Sequence, residues 1–214
     1  MSRSTNNQTE MLQRIRRAAV LEFNEKGIRF TMDDLSRRMG VSKKTLYKHV
    51  RVKDDIIGML IEDAFASIKE QQQEVAADAS LDLVEKIKRM LTVMPAFTGA
   101  LDYRRVFEIS RYYPTLFERI ETHLETGWET TMTLLEEAVA RGRIRPVNLT
   151  IVRETLASTM ESLLRDQFLL KTGLAHGTVV REIVDMLFEG LINRRSVATK
   201  RSGGRASKRA GGAA

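Results

Sequence analysis

Residues Phe30 to Asp55, FTMDDLSRRMGVSKKTLYKHVRVKDD, constrain the fold of this chain more tightly than any other stretch. They predict two short helices joined by a tight turn. Thr31 stands where a hydroxyl caps the first helix, and Asp34, three residues on, completes a capping-box pair. Leu35 and Met39, four apart, form that helix's inward stripe. Gly40 follows where a left-handed residue ends a helix. Val41 plugs the corner, and Ser42 caps a second helix whose Leu46 and Val50 again point inward. Lys43, Lys44, Thr45, Tyr47, Lys48 and His49 remain on its outer face. These are donors and cations on a helix short enough to enter a DNA major groove. The pattern is a helix-turn-helix over 31–50.

With the residues around it, this segment resembles the TetR family (TetR/AcrR type) of bacterial transcriptional regulators. The resemblance rests on Ala18-Ala19, Phe23 and Glu25-Lys26-Gly27 in a preceding helix. It continues through Thr31, Asp34-Leu35, Gly40-Val41-Ser42, Thr45-Leu46-Tyr47 and Lys53, and covers roughly the first third of the chain. It implies an all-α protein, with a three-helix DNA-binding head and a helical body that binds an effector and dimerises. The implied activity is that of a homodimeric repressor on palindromic double-stranded DNA, released by a small-molecule effector. Tyr47 and Lys53 match the family's usual backbone-contacting positions. Two features depart from the pattern. His49-Val50 stands where an aromatic pair is usual, and Val52 stands where a Ser or Asn caps the next helix. A missing cap costs about 1 kcal/mol.

Charge is distributed to match. Residues 1–58 carry a net +6, residues 59–193 a net −6, and the chain from Arg194 onward +7. A basic head on an acidic body suits a protein whose head alone meets a polyanion. The chain has no Cys, which excludes disulfides and thiolate metal sites. No apolar run approaches the roughly 20 residues that cross a bilayer, and the N-terminus lacks the apolar core of a secretory signal. A cytoplasmic protein without a membrane partner is expected.

Helical periodicity dominates the rest, and about nine helices are expected. Leu12, Ile15, Ala19 and Phe23 line a first helix that Gly27 ends. Asp54-Asp55 open the helix after the recognition element, which Ile57, Leu60, Ile61, Ala64 and Ile68 carry into the body. Ser80 is expected to open the next, with a short helix over about 101–111 after it. Pro114 suits the first position of one long helix running through Trp128 to Gly142. Asn148 caps another, closed by Gly173, and the last runs over about 178–193. The domains expected are a head at 8–68, a body at 69–195 and a disordered basic tail at 196–214. The last two helices, about 148–171 and 178–193, are those the family pairs into a four-helix dimer interface.

Candidate sites follow. Lys43, Lys44 and Thr45 begin the recognition helix, where side chains reach base edges. Thr31, Tyr47, His49 and Lys53 read as phosphate contacts, which set register rather than sequence. Ser42 and Lys48 complete the DNA-facing set. In the body, Met90, Met94, Phe97, Phe107, Trp128, Met132, Met160 and Phe168 offer bulky, adaptable surface that could line an effector pocket. Stripes of this kind equally build plain core. Arg104, Arg105, Glu108 and Glu161 could orient an effector or simply be solvated. His49, His123 and His176 show no metal-ligand spacing, and the adjacent Glu136-Glu137 point to different faces of a helix. No catalytic residue, metal or cofactor is expected. The rival reading is a DNA-binding protein of the same fold that senses no metabolite and acts through protein partners.

Overall fold

Local capping and punctuation set most of the helix ends in the computed structural model, which describes residues 2–96 and 101–192. The described residues form eleven α-helices and two short 3-10 turns. The head holds α1 (Ser2–Lys26), a 3-10 turn (Gly27–Arg29), α2 (Met32–Met39) and α3 (Lys43–Leu46). Next come α4 (Lys53–Ala77), α5 (Leu83–Thr92), a 3-10 turn (Tyr103–Arg105), α6 (Phe107–Tyr112) and α7 (Pro114–Glu125). Finally come α8 (Glu129–Ala140), α9 (Leu149–Arg165), α10 (Phe168–Thr172) and α11 (His176–Leu191). There is no β-strand among the described residues, only an isolated antiparallel bridge between Ile144 and Ile192. The protein is all-α.

The two helices beyond the expected nine come from two breaks. The helix foreseen from Pro114 to Gly142 is interrupted at Thr126-Gly127-Trp128, where Gly127 is left-handed (φ 78°) and Thr126 extended. The helix opened by Asn148 stops at Arg165, because Asp166 turns extended (ψ 162°), and α10 restarts two residues later. The helix expected from Ser80 begins at Leu83 instead. Ser80 gives both its N–H and its hydroxyl to the Asp78 carboxylate, so it forms a turn and caps nothing.

Two apolar cores result. One, in the head, packs Ile15, Ala19, Phe23, Phe30, Leu35 and Leu46 against Ile56 and Ile57 of α4. That core does not stop at residue 68: Val106 just before α6, Ile109 of α6, and Phe117 and Ile120 of α7 belong to it. The second gathers Ile87, Leu135, Leu156, Val184 and Phe188 from α5, α8, α9 and α11. Helix α4 runs past 68 to Ala77, so head and body share one continuous element.

A charged clasp holds α1 to α2. Buried Glu22 accepts from Arg38 Nε at 2.7 Å and pairs with Lys26 at 2.8 Å, while Lys26 also reaches Asp34 at 2.7 Å. Burial pushes the Glu22 carboxyl up, but the hydrogen bonds from Lys26 and Arg38 outweigh it and hold it below its ordinary value. The bond from Lys26, followed by those from Thr31, keeps Asp34 far below the usual carboxylate range.

Candidate DNA interface and effector cavity

The recognition element is built from local hydrogen bonds. Thr31 Oγ1 accepts from Asp34 N at 3.2 Å and Asp34 Oδ2 accepts from Thr31 N at 2.9 Å, forming the capping box. Gly40 is left-handed (φ 65°) and ends α2. Ser42 Oγ accepts from Thr45 N at 3.1 Å and caps α3. Regular α-helix ends at Leu46, earlier than the spacing predicts. The chain nevertheless stays coiled to Val50, whose N–H donates to the Leu46 carbonyl at 3.2 Å. Leu46 and Val50 are buried, so the remaining side chains are turned outward.

Ser42, Lys43, Lys44, Tyr47 and Lys48 are exposed, and Thr45 and His49 half-exposed. Lys44 and Lys48 have no ion-pair partner among the described residues. Lys43 does: it bridges to Asp33 of α2 at 2.7 Å, a contact the sequence reading missed. Both partners are solvated, so the pair is worth about 0–1 kcal/mol and yields readily to a competing phosphate.

Lys53 departs from its expected role. Its ammonium donates to the Ile28 carbonyl and, at 3.0 Å, to the Phe30 carbonyl. It also lies 4.7 Å from the Phe30 ring centroid and 5.5 Å from that of Tyr113. Half-buried, it is pushed below its ordinary pKa by desolvation. The cause is the left-handed Gly27 (φ 60°), which turns the chain so that two carbonyls face α4. Lys53 is spent on the head–body junction. Glu108 of α6 closes the same junction by accepting from Ile28 N at 2.6 Å. Val52 offers no capping oxygen, and Asp55 Oδ2 compensates from inside α4, accepting from the N–H groups of Arg51 at 3.1 Å and Val52 at 3.2 Å.

The body contains a cavity of about 870 Å³. Met90, Met94, Trp128 and Met160 line it as expected. Phe107 and Phe168 do not; they sit on a separate surface groove with Arg111 and Arg165, and Phe168 is 45% exposed. Met132 packs against the second core rather than the cavity. Phe97 lies outside the described residues, as does the basic tail. The sequence reading missed the α4 wall, Leu60, Ala64, Phe65 and Ile68, and the three ring residues Tyr103, His123 and His176. The α4 residues were legible as an apolar stripe, but a stripe does not reveal whether protein or empty space faces it. Arg104 is paired with Asp102, Arg105 with Asp102 and Glu108, and Glu161 with Arg165; none of the four lines the cavity. No cluster of three potential metal ligands exists among the described residues. No described helix is long and apolar enough to cross a membrane.

Residues 15–58 match the family model for bacterial regulatory proteins of the tetR family. The chain is 28% identical over 167 residues to the uncharacterized HTH-type transcriptional regulator YvaF of Bacillus subtilis, covering 78% of this chain and 88% of that protein. It is 29% identical over 174 residues to the nucleoid occlusion factor SlmA of Vibrio campbellii, covering 76% of this chain and 84% of that protein. In fold it is similar to a TetR/AcrR-family transcriptional regulator from Thermobifida fusca, with a TM-score of 0.59 at 21% identity, covering 85% and 98% of the two chains. The head thus matches the DNA-binding segment of the tetR family of bacterial regulatory proteins, and the chain as a whole is similar in fold to a TetR/AcrR-family regulator.

Proposed function

We propose that this regulator is a homodimeric repressor that binds a palindromic operator and is released when a small molecule fills the cavity of the body. The observation that carries the reading is where the cavity lies. Its wall includes α4, whose first residue is anchored in the head, and His176 and Val180 of α11, one of the helices expected to pair in the dimer. A ligand filling it bears on the lever to the head and on the dimer interface together. Lys44, Thr45 and Lys43 are the proposed base-reading residues, with Thr31, Ser42, Tyr47, Lys48 and His49 toward the phosphates. Two recognition helices related by a two-fold axis read the half-sites of an inverted repeat. The rival, a protein acting through protein partners alone, gives no role to a cavity of this size. Release is a population shift, limited by the ligand's preference for the DNA-incompetent state; coupling is typically about 1–3 kcal/mol.

Genomic fragments selected with the purified protein test the first half, and an inverted repeat is the expected result. Titration of the selected duplex with and without a cavity ligand tests the second. By reciprocity the operator must weaken ligand binding by the same factor. Equal affinity for selected and random duplexes would overturn the specific-binding reading, and ligand affinity indifferent to operator would overturn release.

A further inference from the structure

The cavity's polar groups are unevenly placed. Its charged residues Glu62, Lys69 and Glu129 are all exposed. Glu62 is moreover already satisfied by Arg119 at 2.6 Å and His123 at 3.1 Å. Away from these, Ile61, Met90, Leu91, Val106 and Ile120 make the wall apolar and buried. Two polar side chains interrupt that wall, the buried Thr131 and His176. The Nδ1 and Nε2 of His176 are both shut off from solvent, and neither has a hydrogen-bond partner among the described residues. The ring is fixed by stacking on Tyr103, with centroids 5.0 Å apart and planes 23° from parallel. It opens α11, and the next residue, Gly177, lies beside the Met94 side chain.

Buried polar groups almost always have a partner, so an orphaned imidazole in a cavity wall calls for one, which its shielded nitrogens reach once the ring turns toward the lumen. Burial holds this ring neutral, with its pKa pushed down to about 4. A neutral imidazole offers one N–H donor and one bare acceptor, and an uncharged oxygen function satisfies either. A carboxylate or ammonium placed there would be a buried ion with no buried counter-charge on the wall around it. We propose that the effector is an uncharged, largely apolar molecule whose hydroxyl or carbonyl oxygen bonds to His176. The volume lies within the roughly 300–1,000 Å³ of sites that enclose small organic ligands. This inference rests on the cavity being the effector site.

The test uses the full-length protein, without DNA, and three probes of equal chain length: 1-decanol, decanoate and decylamine. Trp128, the chain's one tryptophan, lines the cavity and reports binding by fluorescence. Decanol should give a saturable change, with decanoate and decylamine at least about tenfold weaker because each carries a charge inward. His176→Phe keeps the stack on Tyr103 and should weaken decanol about tenfold while leaving 1-chlorodecane unaffected. His176→Gln, which keeps a donor and an acceptor, should restore part of the loss, and serves if the Phe variant fails to fold. Charged probes binding as tightly as decanol, decanol binding unchanged in both variants, or no saturable response to any probe would each overturn the proposal. Decanol bound with the operator still held would instead overturn release and leave the ligand class standing.

Discussion

At the scale of single residues, the head's surface sets Lys43 against Asp33 across the corner of the helix-turn-helix. Any phosphate that Lys43 meets must displace that carboxylate, and the carboxylate itself faces the polyanion. Asp33→Asn should therefore tighten operator binding about three- to tenfold at low salt, since a solvated pair contributes about 0–1 kcal/mol and one repulsive charge is removed. The gain should shrink as salt rises. Anisotropy titrations at several salt concentrations measure it, and an affinity unchanged at every salt would show that Lys43 takes no part in the contact with DNA. What was legible in the sequence here was what is local. The caps at Thr31 and Ser42 and the left-handed Gly40 involve partners within a few residues. The partners of Lys53 were not legible, because the carbonyls it holds belong to residues 23 and 25 positions earlier, brought to it by a turn at Gly27.

At the scale of elements, α4 is the piece on which coupling depends, and its start is fixed by the Lys53 ammonium together with the Asp55 carboxylate. Lys53→Met keeps the apolar stem over Phe30 and Tyr113 but removes both donors. Leaving two carbonyls less well satisfied costs about 1–3 kcal/mol, so the melting temperature should fall by several degrees. Operator affinity should fall as well, on specific and random duplexes alike, because the orientation of the head is loosened rather than its reading of bases. Calorimetry and parallel titrations test this; weakened binding to both duplexes with an unchanged melting temperature would return Lys53 to the phosphate-contacting surface. The periodicity gave nearly every helix but not its interruptions. Thr126-Gly127 and Asp166-Gln167 sit inside apolar patterns that continue on both sides, and only the tertiary path decides that the chain turns there. Gly127 was visible as a residue tolerant of a left-handed turn, not as a compulsory one.

At the scale of the whole molecule, α9 and α11 leave apolar side chains uncovered: Ile151 is 63% and Met186 65% exposed. These are the helices expected to meet a second copy. Met186→Glu should shift the protein toward monomer in sedimentation experiments while leaving the far-ultraviolet spectrum unchanged, because a charge at a closing interface is left unpaired. A persisting dimer would move the interface elsewhere. The cavity was the least legible feature of all. Met90, Met94, Trp128 and Met160 have the same spacing as Met132 and Phe107, and sequence cannot separate a side chain facing a void from one facing a neighbour.

The head's apolar core, finally, is extended by Val106, Ile109, Phe117 and Ile120, which lie about forty to fifty residues beyond residue 68. Modularity is limited accordingly. A head grafted onto a foreign body at residue 68 would leave the inner face of its own α4 without those four side chains. A working chimera would have to carry α6 and α7 along. The same dependence ties the evolution of the two halves: a substitution in α7 that reshapes what the body accepts also alters the seat on which the reading helix rests.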